Sequence, residues 1–177
     1  REAEEIRKEV EKLLRDLKRA LDEHRETSRR LVEELKDILR KNREEVERLV
    51  REIREVIKRV KDREVVEEVK KRLEDLVRDI EKVLRDTERI IEKLKEDSED
   101  VLRRLDKIAK DIERDVERRE PTRELIEEIT RIVEKAKKEL REVSKRLREI
   151  VKKIKEDNDR SNKRLREIAK EIKDRLT

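Results

Sequence analysis

The 177-residue chain carries 56 basic and 51 acidic residues, for a net charge of +5, and it has no Gly, Cys, Met, Phe, Trp or Tyr. That composition excludes disulfides and thiol redox chemistry. It also lacks the aromatic platforms and anchors used by single-strand binders and interfacial helices.

The first predicted helix covers about residues 1–61. Ala3, Leu21, Leu39 and Ile57 are spaced by eighteen, and so are Leu13, Leu31 and Leu49, and Leu17, Leu35 and Ile53. Eighteen residues are five turns of an undistorted α-helix. A heptad repeat would impose a left-handed supercoil, whereas a period of 3.6 leaves helices straight. This periodicity overrides the disorder that 60% charge would otherwise suggest. The apolar phase holds to Val60 and resumes shifted at Val65 and Val66, continuing through Val69, Leu73, Leu76 and Ile80. A turn at Lys61-Asp62-Arg63 with Asp62 as N-cap accounts for the shift. The second helix is predicted over about 62–119. Glu120-Pro121-Thr122 ends it, because Pro is excluded from a helix interior and suits the first turn of a third helix, about 121–177.

Short connections make sequential helices antiparallel. The expected fold is therefore all-α: one domain, a long, straight, untwisted antiparallel three-helix bundle with an 18-residue repeat. Each helix has about seven apolar positions per eighteen, enough to face two neighbours. Three such stripes close a core and leave no broad apolar face for a partner, so a monomeric rod is expected. The three segments carry about +3, −4 and +6, so the acidic middle helix attracts both neighbours and no concentrated basic patch arises.

The eighteen-residue grid also marks polar residues standing on core rows. His24 and Asn42 share a row with Ile6 and Val60, and Ser28 shares one with Val10 and Val46. Thr87 lies between Val69 and Leu105, and Ser98 between Ile80 and Val116. Ser144 and Asn162 follow Ile126, Ser161 follows Leu125 and Val143, and Asn158 lies between Leu140 and Leu176. Thr27 and Thr130 fall on boundary rows. Folding the chain at 62 and 120 groups these residues into two layers. His24 and Ser28 meet Ser98 and Ser144. Asn42 meets Asn158, Ser161 and Asn162, with Thr87 one turn away. Each layer is thus expected to draw on all three helices. Grouping matters because an unpartnered buried polar group costs about 1–3 kcal/mol.

Rows repeating every eighteen residues, Gly-free tight connections, a Glu/Lys/Arg surface and two buried polar layers together resemble computationally designed single-chain helical bundles with buried hydrogen-bond networks. The resemblance spans the whole chain. It implies a hyperstable monomer whose polar layers specify helix pairing and register, with no natural biochemical function.

Chemistry-bearing alternatives find little support in the residues. His24 has no second His or Cys to share a metal, and no acidic residue stands on a core row to orient its imidazole. No Gly-rich turn offers an oxyanion hole, and paired core carboxylates of the di-iron kind are missing. The chain is therefore expected to be no enzyme, with no cofactor, no metal and no nucleic-acid or membrane partner. A natural spectrin-like or coiled-coil rod is the alternative class, although such rods use aromatics, Met and Gln, and this chain has no Gln. A weak basic binder of anionic surfaces is the third. No signal peptide or membrane-spanning run is found, which fits a soluble chain expressed in the cytoplasm without assigning a compartment.

Overall fold

The computed structural model describes residues 2–176. Three α-helices pack against one another: α1 (Glu2–Ile57), α2 (Arg63–Arg118) and α3 (Arg123–Leu176). No strand occurs among the described residues, so the fold is the all-α three-helix bundle that the periodicity predicts. The first helix ends four residues earlier than expected. Its last turn tightens, with Arg59 N–H donating to Val56 O and Val60 N–H to Ile57 O, each at 3.1 Å.

Both connections are built by side-chain caps. Asp62 Oδ1 accepts from the Glu64 N–H (3.1 Å) and the Val65 N–H (3.4 Å), making Asp62 the N-cap of α2. At α3 the cap is Thr122, whose Oγ1 accepts from the Leu125 N–H at 3.2 Å. Pro121 therefore sits outside the helix instead of in its first turn, because the cap position needs a side-chain acceptor that Pro lacks. No described residue has a positive φ, which explains how the chain turns twice without Gly. Asp62→Ala and Thr122→Ala are each expected to destabilise the protein by about 0.5–2 kcal/mol in denaturant titrations. Asp62→Asn should be nearly neutral, since an amide oxygen also accepts these bonds.

The chain divides into two compact units. The first holds residues through Val32 together with Lys93–Glu149, and the second holds Glu33–Glu92 together with residues from Ile150 onward. Leu17, Leu21, Leu105, Leu125, Ile129 and Val133 form the heart of the first core. Ile53, Val69, Leu73, Leu165, Ala169 and Ile172 form that of the second. The rows keep their environment along the helix: Leu17, Leu35 and Ile53 are all at most 1% exposed.

Ion pairs between largely exposed side chains record the helix register. In the second unit Glu34–Lys155, Glu45–Arg166 and Glu52–Lys173 all join residues 121 apart, so α1 and α3 run parallel without slippage. Arg72–Glu171 and Glu68–Arg175 show α3 antiparallel to α2. In the first unit Arg104–Glu139 and Arg119–Glu128 show the same antiparallel pairing. Exposed pairs of this kind contribute about 0–1 kcal/mol each, so they mark alignment more than they stabilise it.

Candidate functional site

The first polar layer lies within the first unit. His24 and Ser28 come from α1, Ser98 from α2 and Ser144 from α3. His24, Ser28 and Ser98 are 3%, 7% and 4% exposed, and Ser144 is half-buried. The ring lies one helical turn beyond Leu21 and bonds at both nitrogens. His24 Nδ1 is 2.9 Å from Ser144 Oγ, and Nε2 is 3.4 Å from Ser28 Oγ and 3.3 Å from Ser98 Oγ. Ser98 donates to Ser28 Oγ at 2.6 Å.

Either tautomer of a neutral imidazole fits these contacts: one ring nitrogen donates, the other accepts, and the three hydroxyls turn to match. Burial pushes the His24 pKa below its ordinary value, in keeping with the neutral form. Among the described residues, no buried side-chain N or O atom lacks a hydrogen-bond partner. Ser28 and Ser98 Oγ stand farther from Nε2 than the roughly 2.6–3.2 Å of an activated nucleophile and its base, whereas Ser144 Oγ lies within that range of Nδ1. Nδ1 faces a hydroxyl where a catalytic imidazole would have a carboxylate to orient it.

The second polar layer lies within the second unit and is smaller than the sequence suggests. Asn42 is its centre, with its Nδ2 donating to Asn158 Oδ1 and its Oδ1 accepting from Asn162 Nδ2 at 3.0 Å. All three are half-buried. The expectation that Thr87 and Ser161 join them is corrected. Thr87 is half-buried, and its Oγ1 donates to Val83 O of its own helix at 2.9 Å. Ser161 is exposed. This layer therefore draws on α1 and α3 alone. The physical reason is that the seam between α2 and α3 is open there: a cleft of about 470 Å³ is lined by Thr87 and Ser161 together with Val83, Ile90 and the asparagines. Water reaches hydroxyls that a closed seam would have forced together. Thr27 and Thr130 are half-buried, as boundary positions should be.

Asn158→Leu is accordingly expected to cost about 0.5–1.5 kcal/mol, the worth of one net hydrogen bond, and not the larger penalty of a stranded buried amide. Urea unfolding of the single variant checks this value.

The open cleft is the feature that the apolar pattern does not announce, since exposed and buried members of a row read alike. The charge around it was visible, with seven acidic residues against four basic between Glu74 and Glu92. Among the described residues, no group of three or more His, Cys, Asp or Glu is placed to hold a metal ion. Nor is any described helix long and apolar enough to cross a membrane. No family model matches the chain, and neither the curated proteins nor the solved structures yield a match.

Proposed function

We propose that the chain is a structural scaffold of the designed-bundle kind, in which polar layers specify which helices pair and in what register. The His24 layer carries this reading, because four polar side chains from three helices satisfy one another inside an otherwise aliphatic core. Rows that repeat every eighteen residues tolerate a slip of one helix past another, since Leu replaces Leu. A slip at His24 would set an imidazole against aliphatic side chains and leave its serines without partners, at about 1–3 kcal/mol for each group. The layer thus penalises wrong alignments more than it strengthens the right one.

The test replaces His24, Ser28, Ser98 and Ser144 together by Leu, Val, Val and Val. Stability in denaturant should stay level or rise, because apolar packing gains as much as the net hydrogen bonds lose. Specificity should fall, seen as mixed masses in native mass spectrometry or broadened amide spectra. A variant with one mass and spectra as sharp as the parent's would overturn the reading.

No chemistry is assigned to the scaffold. Titration with zinc, duplex DNA or anionic vesicles near physiological salt should give no saturable complex, only weak, salt-sensitive attraction of polyanions to the +5 chain. A saturable micromolar complex would favour a binding module instead. Long helices built from strong helix formers also support an expected absence of thermal unfolding below about 90 °C, measured by circular dichroism.

A further inference from the structure

The His24 layer presents one hydroxyl to solvent. His24, Ser28 and Ser98 are buried, whereas Ser144 on α3 is half-buried. Its Oγ lies 2.9 Å from His24 Nδ1, the separation of a nucleophile and its general base. In the tautomer with the ring proton on Nε2, Nδ1 accepts from Ser144. Nε2–H then points to the Ser28 and Ser98 oxygens at 3.4 and 3.3 Å. Those two hydroxyls, bonded to each other, hold the ring from behind. Burial keeps the imidazole neutral near pH 7 and free to take a proton, but it also makes the ring a weaker base. Hydroxyls stand where a carboxylate would strengthen it. Activation of Ser144 is therefore modest, and it suits an acyl donor that already carries a good leaving group.

The flanking residues of α3 point to the kind of leaving group. Arg141 and Arg148 stand at i−3 and i+4 from Ser144, one turn to either side on the same helical face. Both are exposed, and among the described residues neither is in an ion pair. Glu139, by contrast, is taken up by Arg104. At the height of Ser144, α1 brings one acid, the exposed Glu23, by the offset of 121 that Glu2–Arg123 records. Two guanidiniums against one carboxylate leave a positive surplus beside the hydroxyl. The guanidinium fork matches the oxygens of a phosphate, which a neutral ester does not offer.

We propose that Ser144 is a site of covalent acylation by small acyl phosphates, with His24 Nδ1 as general base and Arg141 and Arg148 holding the phosphate. Ser144 Oγ attacks the acyl carbon, and its proton passes to Nδ1. The bond between the acyl carbon and the phosphate oxygen breaks, and phosphate leaves with the electron pair and takes the proton from Nδ1. The products are a Ser144 ester, hydrogen phosphate and a neutral imidazole, so no charge stays buried. Backbone N–H groups in mid-helix are engaged in the helix and form no oxyanion hole, so water is not helped to cleave the ester and the reaction is a single modification. The inference uses the geometry of the layer and not the scaffold reading, which needs the hydrogen bonds alone and stands if Ser144 proves inert.

The test is incubation of the full chain with acetyl phosphate near neutral pH, followed by peptide mass mapping. A Ser144 ester is removed by hydroxylamine, whereas acetylated lysines resist it. Ser161, exposed on the same helix, is the internal control. Ser144 should gain acetyl much faster than Ser161, and its rate should level off above about pH 6.5, where His24 is neutral. His24→Gln should slow Ser144 at least about a hundredfold and remove that pH profile. Arg141→Gln with Arg148→Gln, both at exposed positions, should slow acetyl phosphate about tenfold and leave the neutral donor p-nitrophenyl acetate unaffected. Acetylation of Ser144 no faster than that of Ser161 overturns the proposal. So does a rate unchanged by His24→Gln, or an arginine pair whose loss affects both donors alike or neither.

Discussion

Leu17→Ala is expected to lower the unfolding free energy by about 2–5 kcal/mol, the largest effect of any conservative truncation considered for this chain. Leu17 is fully buried in the first core, among Val10, Leu14, Leu21 and the α2 and α3 residues Leu105 and Val133. Removing three carbons from such a site loses their transfer free energy and leaves a cavity that three long helices cannot readily collapse. Packing density makes the loss local and real, since the surrounding atoms forfeit their contacts. The comparison that gives the number meaning is Val83→Ala, at a residue of the same class that is 54% exposed. There the cost should stay within about 0.5 kcal/mol. Guanidinium unfolding of both variants, with equal m-values, checks the pair. Near-equal losses would mean that the core and the cleft are not distinguished as the structure has them.

The second large effect is expected from His24→Leu, and it has a pH signature. The substitution leaves Ser144 without its Nδ1 partner and Ser28 without its Nε2 partner, while the Ser98–Ser28 bond survives. Loss of these partners should cost about 1–3 kcal/mol at neutral pH, offset in part by the buried leucine. In the parent, burial holds the folded-state pKa of His24 below its ordinary value. Below the ordinary value, near 6.5, the unfolded chain binds a proton that the folded chain resists, so unfolding takes up protons. The stability contributed by neutral His24 is complete above that pH and is lost as pH falls toward the depressed folded pKa. Urea midpoints measured from about pH 8 to about pH 5, above the range where most carboxylates titrate, should therefore decline for the parent. The His24→Leu midpoint should be lower at pH 8 but flatter across the series. Parallel slopes in the two proteins would show that His24 is free to protonate in the folded state.

The two polar layers show where sequence reasoning succeeds and where it stops. His24, Ser28, Ser98 and Ser144 were legible as a group because they stand on rows whose other members are apolar, and because chain reversal at two turns brings them level. The same logic joined Asn42 to Asn158 and Asn162. It failed for Thr87 and Ser161, whose rows contain Val69, Leu105 and Leu125, all buried. Row membership records which side of a helix a residue occupies. It does not record how closely the neighbouring helix approaches at that height, and at Thr87 and Ser161 the neighbour stands off. A threonine with no partner in reach satisfies itself on its own helix, as Thr87 does on Val83 O.

By itself, then, the amino-acid order determined the helices, their two connections, the caps expected at Asp62, and the rows that face inward. Those features follow from local rules: the 3.6-residue period, the exclusion of Pro from helix interiors, and the gain from placing Leu, Ile and Val on one face. The tertiary structure alone decided that Thr122 caps α3 and leaves Pro121 outside it. It also decided the serine partners of each His24 ring nitrogen, the two-helix composition of the asparagine layer and the opening of the α2–α3 seam at Val83 and Ile90. Each depends on distances between residues far apart in the chain, and a repeat with the same period in every helix carries no information about those distances.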